Sequence, residues 1–104
     1  MAIETPNVIN SLGHFDLGAG AGNEIVSAAG FDESSFTHPT SGVMTIDLDK
    51  ATDRNVITLG FGSGATNGEV SLTGSQLVIN LFDAAGAPVD GQVFVQVLDV
   101  PVHV

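Results

Sequence analysis

Three aspartates lie close together in residues 47–53, which read Asp-Leu-Asp-Lys-Ala-Thr-Asp. Closely spaced carboxylates can bind Ca²⁺, which takes roughly six to eight oxygen ligands. The EF-hand pattern is not met, because Ala51 stands at its third acidic position and the required glycine and closing glutamate are missing. We therefore predict a solvated loop, and we keep Asp47, Asp49 and Asp53 as weak candidates for a metal site.

Two further aspartates, Asp83 and Asp90, bracket a stretch rich in alanine and glycine. Aspartate side chains accept hydrogen bonds from nearby backbone amides in turns, and this is the role we predict for both. A glycosidase pair would need two carboxyl groups about 5–9 Å apart in a cleft. Nothing in the sequence locates such a cleft.

The three histidines, His14, His38 and His103, share no spacing typical of metal ligands. We expect each of them to be a surface or interface residue. In a threefold assembly, one histidine from each chain could meet its copies on the axis and bind a metal. His14 and His103 are the candidates for that role.

No pair of a nucleophile and a base is visible in the sequence. The Gly-x-Ser-x-Gly pattern of a nucleophile elbow is absent. We therefore predict no catalytic residue, no cofactor and no enzymatic activity. A small hydrolase or lyase is the third hypothesis, and its acidic catalysts would come from Asp47, Asp49, Asp53, Asp83 and Asp90.

The elements that would position these residues are predicted to be β-strands. Thirteen glycines and four prolines interrupt any helical pattern. The strongest strand signals are the apolar runs Gln76–Phe82 and Gln92–Leu98, which Gly and Pro residues separate. We expect both runs to be strands largely buried on both faces.

Alternation of apolar and polar residues predicts two more strands, Val43–Leu48 and Val56–Phe61. Weaker patterns predict short strands at residues 24–29 and around residues 70–72. Residues 38–42 are predicted to be a turn, and residues 62–68 a hairpin loop with Asn67-Gly68 at its positive-φ positions. The predicted inward side chains are Met44, Ile46 and Leu48 in the first strand and Ile57, Leu59 and Phe61 in the second.

These signals together predict an all-β fold. We expect a single antiparallel β-sandwich or jelly-roll-like domain of about seven or eight strands. We assign residues 23–104 to this domain. Residues 1–22 contain a glycine-rich connector at their end, and we expect them to form an extended amino-terminal arm. Within it, Asn7–Leu17 is predicted to be either extended arm or a first strand.

The composition points to an assembly. Hydrophobic residues make up 43% of the chain and charged residues only 13%, against about 25% in an average soluble domain. A small monomer of this composition would expose large apolar patches, which usually mark interfaces. We therefore expect a homo-oligomer or a component that is docked on a larger particle.

The net charge of −10 excludes two classes of partner. Such a surface repels phosphate backbones and anionic lipids, so we predict neither nucleic-acid nor membrane binding. The start of the chain has an acidic residue where a secretory signal has basic ones, and no apolar run is long enough for a transmembrane helix. We expect synthesis in a host cytoplasm without a signal peptide.

Two segments resemble the carboxyl-terminal β domains of small bacteriophage virion proteins. Residues 82–90, Phe-Asp-Ala-Ala-Gly-Ala-Pro-Val-Asp, and residues 93–97, Val-Phe-Val-Gln-Val, are similar to a turn and the strand after it in those domains. Residues 41–48 and 54–59 look like the strands of the preceding meander. The resemblance covers roughly residues 41–98.

This resemblance implies a β-sandwich, commonly trimeric, in tail fibres, tail tips or capsid decorations. We therefore expect a non-enzymatic virion structural protein, favouring a trimer. It would be a capsid decoration (cement) or spike protein that stabilises the particle through contacts with other copies and with capsid or tail proteins. The alternative is a receptor- or glycan-binding tail-tip module that uses the loops Gly62–Gly68 and Ala84–Gly91.

Overall fold

The computed structural model describes residues 8–52 and 54–100. These residues form eight β-strands and no helix, so none of them belongs to a helix that could cross a membrane. The strands are β1 (Val8–Asp16), β2 (Ile25–Ala29), β3 (Phe31–Thr40), β4 (Val43–Leu48), β5 (Asn55–Phe61), β6 (Asn67–Thr73), β7 (Gln76–Phe82) and β8 (Gln92–Asp99).

The strands make two four-stranded antiparallel sheets. Sheet 1 has the order β2-β1-β8-β5, and sheet 2 has the order β3-β4-β7-β6. Hairpins join β1 to β2, β3 to β4 and β6 to β7, whereas the other four connections cross between the sheets. The predicted all-β class and antiparallel sandwich of about eight strands are confirmed.

The core lies between the sheets and follows from the period-2 pattern. In β4, Met44, Ile46 and Leu48 are buried, as predicted, and the intervening residues are only half-buried. In β5, Ile57 and Leu59 are half-buried, but Phe61 at the end of this edge strand keeps 37% of its surface exposed. The prediction of which side chains point into the core therefore holds fully for the central strand β4 and only in part for the edge strand β5.

The two long apolar runs do not pair with each other. Strand β7 is central in sheet 2 and β8 is central in sheet 1, so residues 83–91 cross from one sheet to the other. Each strand buries one face completely and the other only in part. In β8, Val93, Val95 and Val97 are buried, while Phe94 is 44% exposed. The prediction of burial on both faces was wrong for this strand.

The predicted amino-terminal arm is part of the sandwich over the residues that the structure describes. Strand β1 lies between β2 and β8 and pairs with both. Phe15 and Leu17 are buried in the common core. Residues 8–16 are therefore a central strand, because their inward side chains fill space between the sheets. Residues 1–7 lie outside the described part of the chain.

Two predicted turns are shifted. Residues 38–40 extend β3, so the β3–β4 turn consists of Ser41 and Gly42 alone. Pro39 is tolerated there because β3 is an edge strand. Asn67 and Gly68 start β6 without a positive φ, and the preceding loop crosses between the sheets instead of forming a hairpin. Both differences arise from tertiary pairing that outweighs local turn preference.

Gly42 offers a test of how tightly this turn is packed. Its φ is 76°, and a methyl group on it would lie 2.7 Å from Leu81 O and 2.9 Å from Val89 N. Gly74 in the β6–β7 turn has φ 64° but open space around it. Both Gly→Ala changes meet the left-handed penalty of about 1–2 kcal/mol, and Gly42→Ala meets a backbone clash in addition.

We expect Gly42→Ala to lower the free energy of unfolding by at least about 2 kcal/mol and by more than Gly74→Ala does. Urea denaturation of the two variants beside the wild type measures the difference. Equal losses of unfolding free energy in the two variants would show that the turn can shift to accept the methyl group. Its contact with residues 81 and 89 would then be loose.

Candidate functional site

One side of the sandwich holds a cluster of a histidine and two carboxylates. His38 Nδ1 lies 2.9 Å from Glu24 Oε2, and His38 Nε2 lies 2.9 Å from Asp90 Oδ1. All three side chains are largely or partly buried, with Glu24 the least exposed and Asp90 the most. We call Glu24, His38 and Asp90 the histidine–carboxylate cluster.

Three separate parts of the chain supply this cluster. Glu24 directly precedes β2 in sheet 1, and His38 lies in β3 at the edge of sheet 2. Asp90 ends the crossing that leads into β8. The cluster therefore links both sheets and a crossing loop at a place where the edge strands β2 and β3 leave the sandwich open.

Backbone amides hold both carboxylates in place. The N–H of Gly22 donates to Glu24 Oε1 at 3.0 Å. The N–H of Gly42, in the β3–β4 turn, donates to Asp90 Oδ1 at 2.7 Å. Each carboxylate therefore accepts a backbone hydrogen bond as well as contacting a ring nitrogen of His38.

The two carboxylates determine the protonation state of His38. A neutral imidazole has one N–H, but here both nitrogens face a carboxylate oxygen, so the fully bonded form is the imidazolium. Burial by itself lowers the pKa of His38, yet the hydrogen bonds to Glu24 and Asp90, with their negative charges, outweigh it and raise the pKa above 6.5.

Asp90 shifts in the complementary direction. The hydrogen bond from the Gly42 amide is the main cause that lowers the pKa of Asp90 below 3.8. Burial opposes this change, and the bond to His38 and its charge add to it. The two shifts together favour a protonated His38 beside an ionised Asp90.

An open hollow of about 500 Å³ lies beside the cluster. Both nitrogens of His38 are occupied by carboxylates, so it has no free nitrogen with which to activate a serine or a water. The arrangement thus forms a link between separate segments of the chain. The hollow is lined by Gly22, Glu24, Ile25, Glu33, Phe36 and His38.

The aspartates proposed as metal ligands do not form a cluster in the described residues. Asp47 lies in β4, and Asp49 is exposed just after that strand. Asp53 lies outside the described residues. Within residues 8–52 and 54–100, no group of three His, Cys, Asp or Glu side chains is placed to hold a metal ion.

The other candidate residues have separate roles. Asp83 Oδ1 accepts the amides of Ala85 and Ala87 at 2.9 and 3.0 Å, which confirms its predicted turn role. Asp90, by contrast, bonds across the sandwich to Gly42 and His38, and that was not predicted. His14 stacks on Phe94 with ring centres 4.1 Å apart. His103 lies outside the described residues.

The two outer faces of the sandwich differ in chemistry. On sheet 1, the strand register places Ile9, Leu98 and Val56 in one row across β1, β8 and β5. A second row holds Leu12, Gln96 and Thr58, and a third holds His14, Phe94 and Gly60. We call these three rows the apolar face, which contains no Asp, Glu, Lys or Arg.

The outer face of sheet 2 is polar by comparison. Its rows across β4, β7 and β6 carry Asp47, Glu69, asparagine, glutamine, serine and threonine side chains, with Val43 and Val78 as the apolar members. Thus the sandwich has one side suited to water and one side suited to contact with another surface.

The chain matches no protein-family profile, no curated protein and no solved structure.

The protonation of the cluster predicts how stability depends on pH. The pKa of His38 is raised on folding, so its contribution is complete below pH 6.5 and is lost as pH rises through the folded value. The pKa of Asp90 is lowered, so its contribution is present above pH 3.8 and is lost as pH falls through the folded value. The cluster therefore stabilises most between these two values.

We expect the free energy of unfolding to fall as pH is raised from about 6 to about 9. His38→Gln should remove much of this fall and cost about 1–3 kcal/mol at the lower pH, because two charge-assisted hydrogen bonds are lost. His14→Gln is the matched control, since His14 contacts Gln92 and Phe94 but no carboxylate. Identical pH profiles for wild type and His38→Gln would contradict the proposed link.

Proposed function

We propose that this protein is a non-enzymatic virion structural protein, a capsid decoration (cement) or spike protein that stabilises a particle through subunit contacts. The apolar face of sheet 1 would contact the shell or other copies of the chain. The polar face of sheet 2, together with the net charge of −10, would face the solvent and keep particles apart.

The single observation that carries this proposal is the exposure of the apolar face. Ile9 is 53% exposed, Leu12 49% and Val56 48%, and Phe94 is exposed beside them. Large side chains grouped on one sheet surface without a charge are unusual on a monomer and typical of interfaces. The core already occupies the other side of the same strands, and residues 8–52 and 54–100 supply no further layer to cover this face.

The assignment to a virion is supported by the resemblance of residues 82–97. In the structure these residues form the β7–β8 crossing and most of β8. Their polar groups close the crossing itself: Asp83 N–H donates to Ala87 O, and Gly86 N–H donates to Asp83 O. Backbone groups that bond to one another within the crossing suit a structural role better than a reactive one.

A receptor- or glycan-binding module is the second candidate, because two predicted recognition loops lie together. Ser63 O accepts the N–H of Gln92, and the Gly91 backbone approaches Ala65 closely. The loops 62–66 and 83–91 therefore share one end of the sandwich. Adsorption of particles that is blocked by the free protein would favour this candidate.

Leu12 provides a direct test of the apolar face. Leu12→Lys places a charge at the middle of the face, and little packing is lost because the side chain is already half exposed. We expect at least tenfold weaker binding to purified particles or to other copies, with an unchanged melting temperature, because burying an unpaired charge costs about 1.4 kcal/mol or more.

Thr73→Lys is the matched control, since Thr73 is exposed on the outer face of sheet 2. It should bind as the wild type does. Light scattering, co-sedimentation with particles and mass spectrometry of the particles measure binding and copy number. A wild-type protein that stays monomeric and does not bind its particle would overturn the proposal.

A further inference from the structure

Within residues 8–52 and 54–100, the sandwich has four edge strands, each with a row of backbone N–H and C=O groups that pairs with no other described strand. These are β2 and β5 in sheet 1, and β3 and β6 in sheet 2. An exposed edge is a template for pairing with another chain, so proteins usually protect it with charges, proline, bulges or short length.

Three of the four edges carry such protection. Strand β3 contains Asp32, Glu33 and Pro39, and its register with β4 is broken twice. Strand β6 carries Glu69 on its outer face. Strand β2 is only five residues long, and its register with β1 shifts within that length.

Strand β5 has none of these protections. Its seven residues, Asn55–Phe61, include no charged residue and no proline. It pairs with β8 in one unbroken register from Asn55 to Phe61. A strand that is regular, uncharged and rich in β-branched residues is the kind of edge on which another strand can be added.

The register also shows which backbone groups of β5 are available. Val100 N–H donates to Arg54 O, and Gly62 N–H donates to Gln92 O. Hydrogen-bonded positions alternate along an antiparallel strand, so the even-numbered residues of β5 bond to β8. The N–H and C=O groups of Asn55, Ile57, Leu59 and Phe61 therefore point away from the sheet.

We propose that β5 pairs with β5 of a second copy, antiparallel and about a twofold axis at Thr58. This register uses the whole strand: Ile57 faces Leu59 of the other copy, and Asn55 faces Phe61. These are odd-numbered residues, so the outward groups of both strands meet as hydrogen-bonded pairs. Thr58 faces Thr58, which is a favourable cross-strand pair.

The occupant we favour is a second copy for two reasons. Each chain carries a net charge of −10, so most approaches of two copies bring carboxylates together. Strand β5 is seven residues long and contains no carboxylate, so two copies can pair along it without that repulsion. The pairing also joins the apolar faces of the two copies into one eight-stranded surface, because Val56, Thr58 and Gly60 belong to that face. This inference rests on the proposed function, namely that the protein acts in an assembly, but it concerns the edge strand β5 and not the apolar face of sheet 1.

The twofold symmetry makes the smallest unit a dimer. A trimer, as the resemblance implies, is compatible with this pairing only as a hexamer of three dimers. Sedimentation should therefore give a mass that is an even multiple of the 10.6 kDa chain.

Substitutions of Thr58 test both the edge and the register. Thr58→Lys and Thr58→Glu each place like charges opposite each other at the twofold axis, and both should weaken self-association roughly fivefold or more. An equimolar mixture of the two variants places Lys opposite Glu, so association should return to the wild-type level. Ser71→Lys is the control, since Ser71 is exposed on edge strand β6.

Sedimentation velocity over a range of concentrations measures these outcomes, with circular dichroism to show that each variant is folded. Loss in each variant and recovery in the mixture would support the pairing. The pairing would be overturned if both variants associated as strongly as the wild type, or if the mixture showed no recovery. It would also be overturned if the wild-type protein were a trimer or a monomer. Because Thr58 also lies in the apolar face, recovery in the mixture is what separates the two proposals. Weaker association in each variant without recovery in the mixture would rule out the edge pairing and leave the apolar face standing.

Discussion

The structure depends on one constraint, which is that two sheets share a single interior. Their inner faces fill it with side chains such as Phe15, Ile79 and Val95, which are almost completely buried. Sheet 1 is apolar on its outer side as well, and the part of the chain that the structure describes forms no third layer over that side. A sequence with so few charges therefore places its remaining apolar surface on one face instead of scattering it.

At the open side of the sandwich, hydrogen bonds between polar side chains join the two sheets, whereas apolar packing joins them elsewhere. Between the start of β2 and the end of β3, the histidine–carboxylate cluster holds His38 between two carboxylates. Partly buried charges are costly unless they are paired, and here backbone amides complete the bonding of both carboxylates. Gly42 serves this link twice, since its N–H binds Asp90 and its lack of a side chain lets the turn approach Leu81.

The fold class could be predicted from the sequence because β4 and β7 alternate cleanly between the core and the outer face. Strand β1 was harder to recognise, because its inward positions hold Ser11 and Gly13 before Phe15. A methyl group on Gly13 would lie 2.6 Å from the Phe15 ring, so glycine makes room for that ring and hides the apolar pattern. Glu24 and His38 escaped prediction because only the fold brings them beside Asp90, 52 residues beyond His38.

The central claim is that the apolar face is covered when the protein functions. Hydroxyl-radical footprinting of the wild-type protein, read at Phe94, tests it without any substitution. We expect the reactivity of Phe94 to fall as the protein is concentrated or bound to its particle, while that of Val78 on the opposite face stays constant. Equal reactivity of Phe94 in dilute, concentrated and particle-bound samples would contradict the account.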